Sequence, residues 1–201
     1  MTTLNYNITA SADDAWENAT GTVNTNGVAI GALTTGNMWA GFRFQSIAVP
    51  QGQVTTSVTF EISVYDTARD DLVCNAHCEA IDDAPTFTTG ASDISSRART
   101  TASTAVNSTA IAAGGEVYFS IDITAPANEV FARGGWVSGN DLGVILDCLS
   151  GVNFFGRSFD YNSASTPPKL TIVYTAAGGQ PTVARMRLVP GVGRPHGQQG
   201  W

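Results

Sequence analysis

The sequence predicts an all-β protein: an antiparallel, jelly-roll-like β-sandwich with one short helix and an extended C-terminal arm. Only 13% of the 201 residues are charged, about half the usual share of roughly 25%. Thr, Ser, Asn and Gly are abundant instead, and hydroxyl-bearing and β-branched residues suit a pleated sheet and its turns. Short segments of alternating apolar and polar residues recur along the chain between Gly, Asn, Pro and Ser, which is typical of a sandwich or barrel.

Five alternating segments in the first half of the chain are predicted to be strands. They span residues 4–9, 27–33, 38–47, 54–65 and 72–81. In the third segment, Phe42 and Phe44 are expected to point into the core. In the fourth segment, Val58, Phe60, Ile62 and Val64 form one apolar face. Its polar residues Thr59, Glu61 and Ser63 are expected to face solvent.

The second half of the chain adds five more predicted strands and one helix. The strands span residues 100–106, 116–124, 141–148, 154–161 and 169–175. The clearest inward row consists of Val117, Phe119, Ile121 and Ile123. The helix is predicted over residues 125–133, with Thr124 as its N-cap, Pro126 in its first turn and Gly134 after its end.

The chain is predicted to divide into a sandwich domain, residues 1–175, and a Gly/Arg-rich C-terminal tail, residues 176–201. Every acidic residue precedes position 161, whereas the tail has no acid and contains Arg185, Arg187 and Arg194. We expect these arginines and the final Trp201 to bind a neighbouring protein, because a basic strap complements an acidic body and an aromatic side chain gains when buried. The alternative is a disordered terminus.

Charge and hydropathy argue against two kinds of partner. The net charge is −7 and Lys169 is the only lysine, whereas nucleic-acid binding needs clustered cations that release counterions. No run of about 18 apolar residues occurs, and the first residues do not resemble a secretory leader. We therefore expect no nucleic-acid partner and no membrane partner.

Three residues of one predicted strand, Cys74, His77 and Cys78, have the composition of a zinc site. On a strand, however, the two cysteines project from one face and His77 from the other, so the three do not reach one ion. Cys74 and Cys78 are also too far apart along a strand to bond to each other. A disulfide from Cys148 to either of them stays open, and buried reduced thiols are the expected state.

Acidic residues cluster at predicted loops and strand ends. We predict Asp13, Asp14 and Glu17 as candidate calcium ligands, because calcium accepts several loop carboxylates without strict geometry. Solvated turn acids are the alternative, and no other cofactor is predicted. Asp82 and Asp83 raise a further alternative, an enzyme that uses a pair of carboxylates. Catalysis is not expected, because the chain has only two histidines and lacks a nucleophile elbow or an HExxH motif.

The tryptophans offer candidate platforms for stacking on sugars, and Trp39 and Trp136 are the two to test. The alternative is that they belong to the core, which is the usual place of aromatic residues in a sandwich. Trp136 follows the predicted helix and is expected to pack beneath the sheet.

Several segments in order resemble one known family. They are residues 12–15, 41–50, 81–87, 135–142 and 168–174. Together they resemble the DNRLRE-type β-sandwich domains, which occur in bacterial surface proteins, polysaccharide-degrading assemblies and phage-encoded proteins. The resemblance covers about residues 4–175 and implies a jelly-roll-like, carbohydrate-module-like sandwich without a catalytic centre of its own.

These observations lead to one expected function and one alternative. We expect a non-catalytic structural or adhesive protein of a phage virion, such as a capsid decoration or fibre protein, assembled in the host cytoplasm. It would be a homo-oligomer and would dock on capsid or fibre subunits through its tail. The alternative is an extracellular carbohydrate-binding module that holds a glycan with exposed aromatic residues and a calcium ion.

Overall fold

The described residues form two facing antiparallel sheets and one α-helix, which confirms the predicted all-β sandwich. The structure is a computed structural model and describes residues 1–32, 36–65, 72–108, 116–148, 154–158 and 167–176. Within these residues the strands are β1 (Thr2–Asn7), β2 (Asp14–Glu17), β3 (Val23–Asn24), β4 (Val28–Ala32), β5 (Met38–Phe44), β6 (Thr55–Tyr65), β7 (Leu72–Cys78), β8 (Thr104–Ser108), β9 (Glu116–Asp122), β10 (Leu142–Cys148), β11 (Phe154–Ser158) and β12 (Lys169–Tyr174). The helix α1 spans Thr124–Phe131.

Sheet 1 is organised around the long strand β6. Its strand order is β1-β12-β6-β11-β4. On one side, β6 pairs first with β12 and then, at Val64 and Tyr65, with β11. On its other side it pairs with β9 from Thr59 to Tyr65. β6 is therefore paired on both edges at residues 59–61 and again at residues 64–65.

Sheet 2 has the strand order β3-β2-β5-β10-β7-β8. The short strands β2 and β3 were not predicted, because two to four residues are too few to show an alternation. β2 pairs with β5, so that Asp14 lies across from Phe42. The remaining strands match predicted segments, with ends that differ by a few residues.

The core lies between the two sheets. The ring of Phe60 from sheet 1 is 4.9 Å from that of Phe42 and 5.9 Å from that of Phe44, both from sheet 2. All three side chains are fully buried, as the alternation predicts. The apolar rows of β6 and β9 are also buried wherever their side chains are described. The sheets therefore pack through aromatic residues near their centres.

Ser63 departs from the prediction that it faces solvent. It lies on the outer face of sheet 1 but is only 2% exposed. β6 is flanked by β9 and β12, and the large side chain of Tyr118 stands directly across from Ser63 in the β6–β9 pair. A small serine between longer neighbours is shielded even on an outer face.

The helix forms where it was expected but begins and ends earlier, and Thr124 does not cap it. Ile123 occupies the N-cap position without a side-chain cap, and Thr124 is the first helical residue. The Thr124 hydroxyl donates to Asp122 at 2.5 Å and accepts the Val58 N–H at 2.9 Å. Thr124 therefore joins the helix to β6 and β9 rather than closing the helix end.

Candidate functional site

The three predicted calcium ligands lie close in sequence but are engaged separately. Arg43 donates to the Asp13 carboxylate, and the Gln45 amide donates to its other oxygen at 2.7 Å. The Glu17 carboxylate accepts the Ser95 N–H at 2.7 Å and the Ser95 hydroxyl at 2.5 Å. All three are buried, so they are not solvated turn acids either.

Strand geometry keeps Asp14 away from Glu17. The two residues are three positions apart in β2, so their side chains leave opposite faces of sheet 2. Among the described residues, no three His, Cys, Asp or Glu side chains lie close enough together to hold a metal ion. The structure thus presents Asp13, Asp14 and Glu17 as separate buried carboxylates.

Arg43 is the centre of the ionic network at this end of sheet 2. Its guanidinium donates to the carboxylates of Asp13 and Asp141 and, at 2.8 Å, to the carbonyl of Ala84. Burial by itself lowers the pKa of Arg43, but the hydrogen bonds and charges of Asp13 and Asp141 outweigh burial and raise it. Arg43 therefore remains charged and ties three separate segments together.

The segment of residues 79–100, which we call the cover, folds over the outer face of sheet 2. Phe87 packs there against Gly41, which leaves room for the phenyl ring because it has no side chain. A Cβ added to Gly41 would lie 2.4 Å from the ring. Phe87 belongs to a second hydrophobic cluster with Ala15, Val23, Ile94 and Ile145, and Trp39 packs against that cluster. The cover therefore buries an apolar patch outside the main core.

Two arginines stabilise the cover, Arg97 by contacts within it and Arg99 by a contact with sheet 2. Arg97 donates to Glu79 at 2.9 Å and to Asp93 at 3.1 Å, and its guanidinium lies 4.2 Å from the centre of the Phe87 ring. Arg99 binds Asp147 of β10 at 2.8 Å. Burial raises the pKa of Glu79, although the nearby Arg97 acts in the opposite direction.

The acids of the enzymatic alternative also have protein partners. Asp82 binds Arg133 at 2.6 Å, and Asp83 accepts the N–H of Asp141 at 2.8 Å. Both acids hold the cover to the segment after α1. The two carboxylates therefore have a structural role at the edge of sheet 2.

A disulfide joins Cys74 and Cys148, so the expectation of reduced thiols is wrong for these two residues. They face each other in the β7–β10 pair with their Cα atoms 4.1 Å apart; the close pairs of an antiparallel ladder have a spacing of about 4.5 Å. Cys78 is a buried free thiol. His77 lies on the opposite face, where its Nδ1 is 3.1 Å from the Thr100 carbonyl oxygen. This placement confirms that the three residues do not share one ion.

The two tryptophans proposed for sugar stacking are not open platforms. Trp136 is fully buried; its indole N–H donates to the Val49 carbonyl at 2.9 Å and its ring centre is 5.0 Å from that of Phe131. This confirms that Trp136 packs beneath the sheet. Trp39 is half-buried against the second cluster.

A further candidate site is a groove of about 240 Å³ on the outer face of sheet 1, which we call the outer groove. Its lining includes Asn7, Glu61, Ser63, Tyr118, Pro167 and Lys169. Lys169 stands between Asn7 and Glu61 in a row across β1, β12 and β6. Lys169 Nζ is 3.3 Å from Glu61 Oε2.

Tyr118 forms the aromatic wall of the outer groove. Its side chain is 56% exposed. Burial of the phenol, its hydrogen bond to Glu61 and the negative charge of Glu61 together raise the pKa of Tyr118 to about 12. The outer groove therefore combines an aromatic ring, a carboxylate, an ammonium group and an amide within a small area.

Ser63 also lines the outer groove, and its hydroxyl is the second feature of note there. It is buried and has no hydrogen-bond partner. The sequence alternation placed Ser63 on this face together with Glu61, but nothing in the sequence indicated that β9 and β12 would gather their polar residues beside it.

The remaining predicted site residues, Arg185, Arg187, Arg194 and Trp201, lie outside the described residues. In the described part of the chain, no helix is long and apolar enough to cross a membrane. Comparison with models of known protein families finds no match, and comparison with curated proteins finds none. The resemblance to DNRLRE-type domains therefore stays a prediction.

Proposed function

We propose that this chain is a non-catalytic structural or adhesive protein. The observation that carries the proposal is the use of its ionisable side chains as fasteners. Every lysine and arginine whose side chain is described forms an ion pair within the chain: Arg43, Arg97, Arg99, Arg133 and Lys169. Because these ion pairs hold the cover and a disulfide links β7 to β10, the sandwich is suited to form a rigid surface on which other molecules can bind.

Within that class we place the chain in a phage virion, as a capsid decoration or fibre protein assembled in the host cytoplasm. The Cys74–Cys148 disulfide supports a mature location outside a reducing cytosol, because disulfides persist in oxidising surroundings. The low charge content of the surface and its many hydroxyl and amide residues suit an exposed particle coat. A DNRLRE-type fold would agree with this role, since such domains occur in phage-encoded proteins.

Charge separation supports docking through the tail. Three of the ten lysines and arginines lie in residues 176–201, and the other seven share residues 1–175 with all 17 acids. The body thus has a net charge of −10 and the tail a net charge of +3. The basic tail of one copy complements the acidic body of the next, which favours a homo-oligomer or a strap onto an acidic capsid or fibre subunit.

Sedimentation velocity tests the tail. The full chain is expected to self-associate at about 0.15 M salt and to dissociate at about 1 M salt, where charge is screened within about 3 Å. Replacing Arg185, Arg187 and Arg194 by Ser is expected to abolish the association, whereas the matched control Gln198→Ser/Gln199→Ser keeps it. Unchanged association of the triple variant would contradict docking through the tail.

The virion assignment has its own test. Particles purified by density gradient from the source of the chain are expected to contain this protein in a fixed ratio to the capsid subunit, measured by quantitative mass spectrometry. Its absence from such particles would remove the virion assignment but leave the adhesive role.

A carbohydrate-binding module is the second candidate, and the outer groove favours it. The site differs from the expected one, because Trp136 is buried and Asp13, Asp14 and Glu17 do not come together. Saccharide binding by the outer groove is therefore expected to persist after dialysis against EDTA. Loss of binding on removal of calcium would instead indicate that Asp13, Asp14 and Glu17 take part in binding.

A further inference from the structure

The buried hydroxyl of Ser63 is the feature that most directly indicates a ligand. Buried polar groups in native proteins are almost always hydrogen-bonded, and leaving one unsatisfied costs stability. Ser63 is 2% exposed, its hydroxyl has no partner, and it lines the outer groove. A group that enters the groove with its own donor or acceptor would satisfy this hydroxyl.

The charges of the outer groove select against an ionic ligand. Lys169 and Glu61 already neutralise each other at 3.3 Å, so a cation or an anion would meet a like charge as well as an opposite one. A neutral molecule with several hydroxyl groups can accept from Lys169 and donate to Glu61 without separating them. Asn7, beside Lys169, offers both a donor and an acceptor.

Size and shape narrow the class further. The groove volume of about 240 Å³ is below the roughly 300–1,000 Å³ of sites for drug-sized ligands, so it suits a single ring. The exposed face of Tyr118 gives that ring an apolar surface to pack against. A pyranose has C–H groups on its faces and hydroxyl groups at its rim. It therefore complements an aromatic face that is surrounded by polar side chains.

We propose that the outer groove binds one ring of a neutral saccharide, with Tyr118 against the ring face and Ser63, Glu61, Lys169 and Asn7 at its hydroxyls. The site deepens the proposed adhesive function, on which it rests, by naming what the outer face of sheet 1 holds. It does not involve the tail, so the two proposals fail in different experiments.

Isothermal titration of the full chain tests the site. The probes are cellohexaose, chitohexaose, maltohexaose and β-1,4-galactohexaose as neutral saccharides, with hexagalacturonate as the acidic comparison. At least one neutral probe is expected to bind with a millimolar or tighter dissociation constant. Binding of hexagalacturonate alone would overturn the proposal. The absence of binding of any neutral probe at about 10 mM, which means a binding free energy weaker than about 3 kcal/mol, would overturn it as well.

Three variants separate the site from the fold. Tyr118→Ala is expected to weaken binding about tenfold, whereas Val54→Ala, at another exposed apolar residue that is not in the lining, leaves it unchanged. Ser63→Ala is expected to weaken binding about fivefold while raising the temperature of unfolding, because it removes an unsatisfied hydroxyl. A merely structural serine would not give this opposite pair of changes. Binding that survives both Tyr118→Ala and Ser63→Ala would place the saccharide elsewhere and overturn the assignment.

The same titration distinguishes the site from the tail. The Arg185→Ser/Arg187→Ser/Arg194→Ser variant is expected to bind the saccharide as the full chain does, whatever its state of association. Saccharide binding that disappears in this variant, while Tyr118→Ala retains it, would assign the ligand to the tail and overturn the groove.

Discussion

At the scale of single residues, the buried ion pairs of this protein depend on additional hydrogen bonds. Arg43 and Asp13 have side chains that are 15% and 1% exposed. Removing charges of this kind from water is costly, and their attraction offsets the cost only when further hydrogen bonds satisfy them. Gln45, Asp141 and the Ala84 carbonyl supply those bonds. Removing one partner should therefore lower the free energy of unfolding by more than the intact ion pair contributes to it.

Arg43→Met is expected to lower the free energy of unfolding by about 3 kcal/mol, because it leaves the Asp13 carboxylate buried without its cation. Urea denaturation measures the change. Adding Asp13→Asn to this variant should recover part of the loss, since it removes the stranded charge. Lys169→Met breaks a more exposed ion pair and should cost less than about 1 kcal/mol. Equal losses in the two single variants would refute the distinction.

The buried Glu79 makes stability depend on pH in a specific direction. Burial raises the pKa of Glu79 in the folded protein above its usual value of 4.5, so the folded state prefers the protonated carboxyl. The stabilising contribution is then complete below the unfolded pKa and disappears as the pH rises through the folded pKa. Glu79→Gln lacks this titration. Relative to the wild type, Glu79→Gln is expected to become more stable as the pH is raised from 4 to 7.

Urea unfolding of both proteins across that pH range measures the difference. Because the other ionisable residues are common to both proteins, subtracting the two curves isolates position 79. A difference that is constant with pH would mean that Arg97 cancels the effect of burial, and a difference that shifts toward the wild type as the pH rises would mean that Arg97 outweighs burial.

At the scale of elements, the cover is held by shape as well as by charge. Gly41 leaves room on the outer face of β5 for the ring of Phe87, which is 2% exposed. A glycine in the middle of a strand usually weakens it; here the missing side chain makes the binding site for the cover. The second hydrophobic cluster then completes the contact between the cover and sheet 2.

Gly41→Ala is expected to lower the free energy of unfolding by about 2 kcal/mol, because the new methyl group overlaps the Phe87 ring and the packed cover cannot shift freely. Gly134→Ala is the matched control, since an added Cβ there meets no atom within 4 Å. Thermal and urea unfolding compare the two. Adding Phe87→Leu to Gly41→Ala should restore part of the stability, and no rescue would mean that the clash lies elsewhere.

The link between β7 and β10 is the second device at this scale. The disulfide joins residues 74 positions apart, and closing a loop of that length stabilises a protein by about 4 kcal/mol through the unfolded chain. Iodoacetamide and mass spectrometry count accessible thiols. We expect no labelling of the native protein, since Cys78 is buried and burial raises the pKa of its thiol. In denaturant we expect a single label, and after reduction three. Three labels in denaturant without reductant would show that the disulfide is absent.

At the scale of the whole molecule, the sequence predicted the layers but not what covers them. Alternation identified the inward faces of β5, β6 and β9 because the side-chain period of a strand is local. Asp13 and Glu17 looked like loop acids because the cover that buries Glu17 lies far along the chain. The Cys74–Cys148 disulfide depends on the register of β7 against β10, which no local pattern determines. The outer groove is likewise a product of pairing, since it brings together residues of β1, β6, β9 and β12.

The closing strand β12 gives the last test of this architecture. β12 lies between β1 and β6, and its Leu170 and Ile172 are fully buried. The described chain continues two residues past β12, where the Gln53 amide donates to the Thr175 carbonyl at 3.2 Å. A chain ending at Ala176 is therefore expected to keep the full set of described sheet contacts. Removing β12 would expose the edges of both β1 and β6 and open the core.

We expect residues 1–176 to unfold in urea with the same midpoint as the full chain under conditions where both are monomeric. Residues 1–168 are expected to show no cooperative transition, because the loss of β12 removes two buried aliphatic residues, each contributing about 2 kcal/mol, together with two ladders of hydrogen bonds. Circular dichroism and tryptophan fluorescence follow both transitions. A cooperative, β-rich transition in the shorter chain would mean that sheet 1 closes without β12. A lowered midpoint for residues 1–176 would mean that the tail packs on its own sandwich rather than on a neighbour.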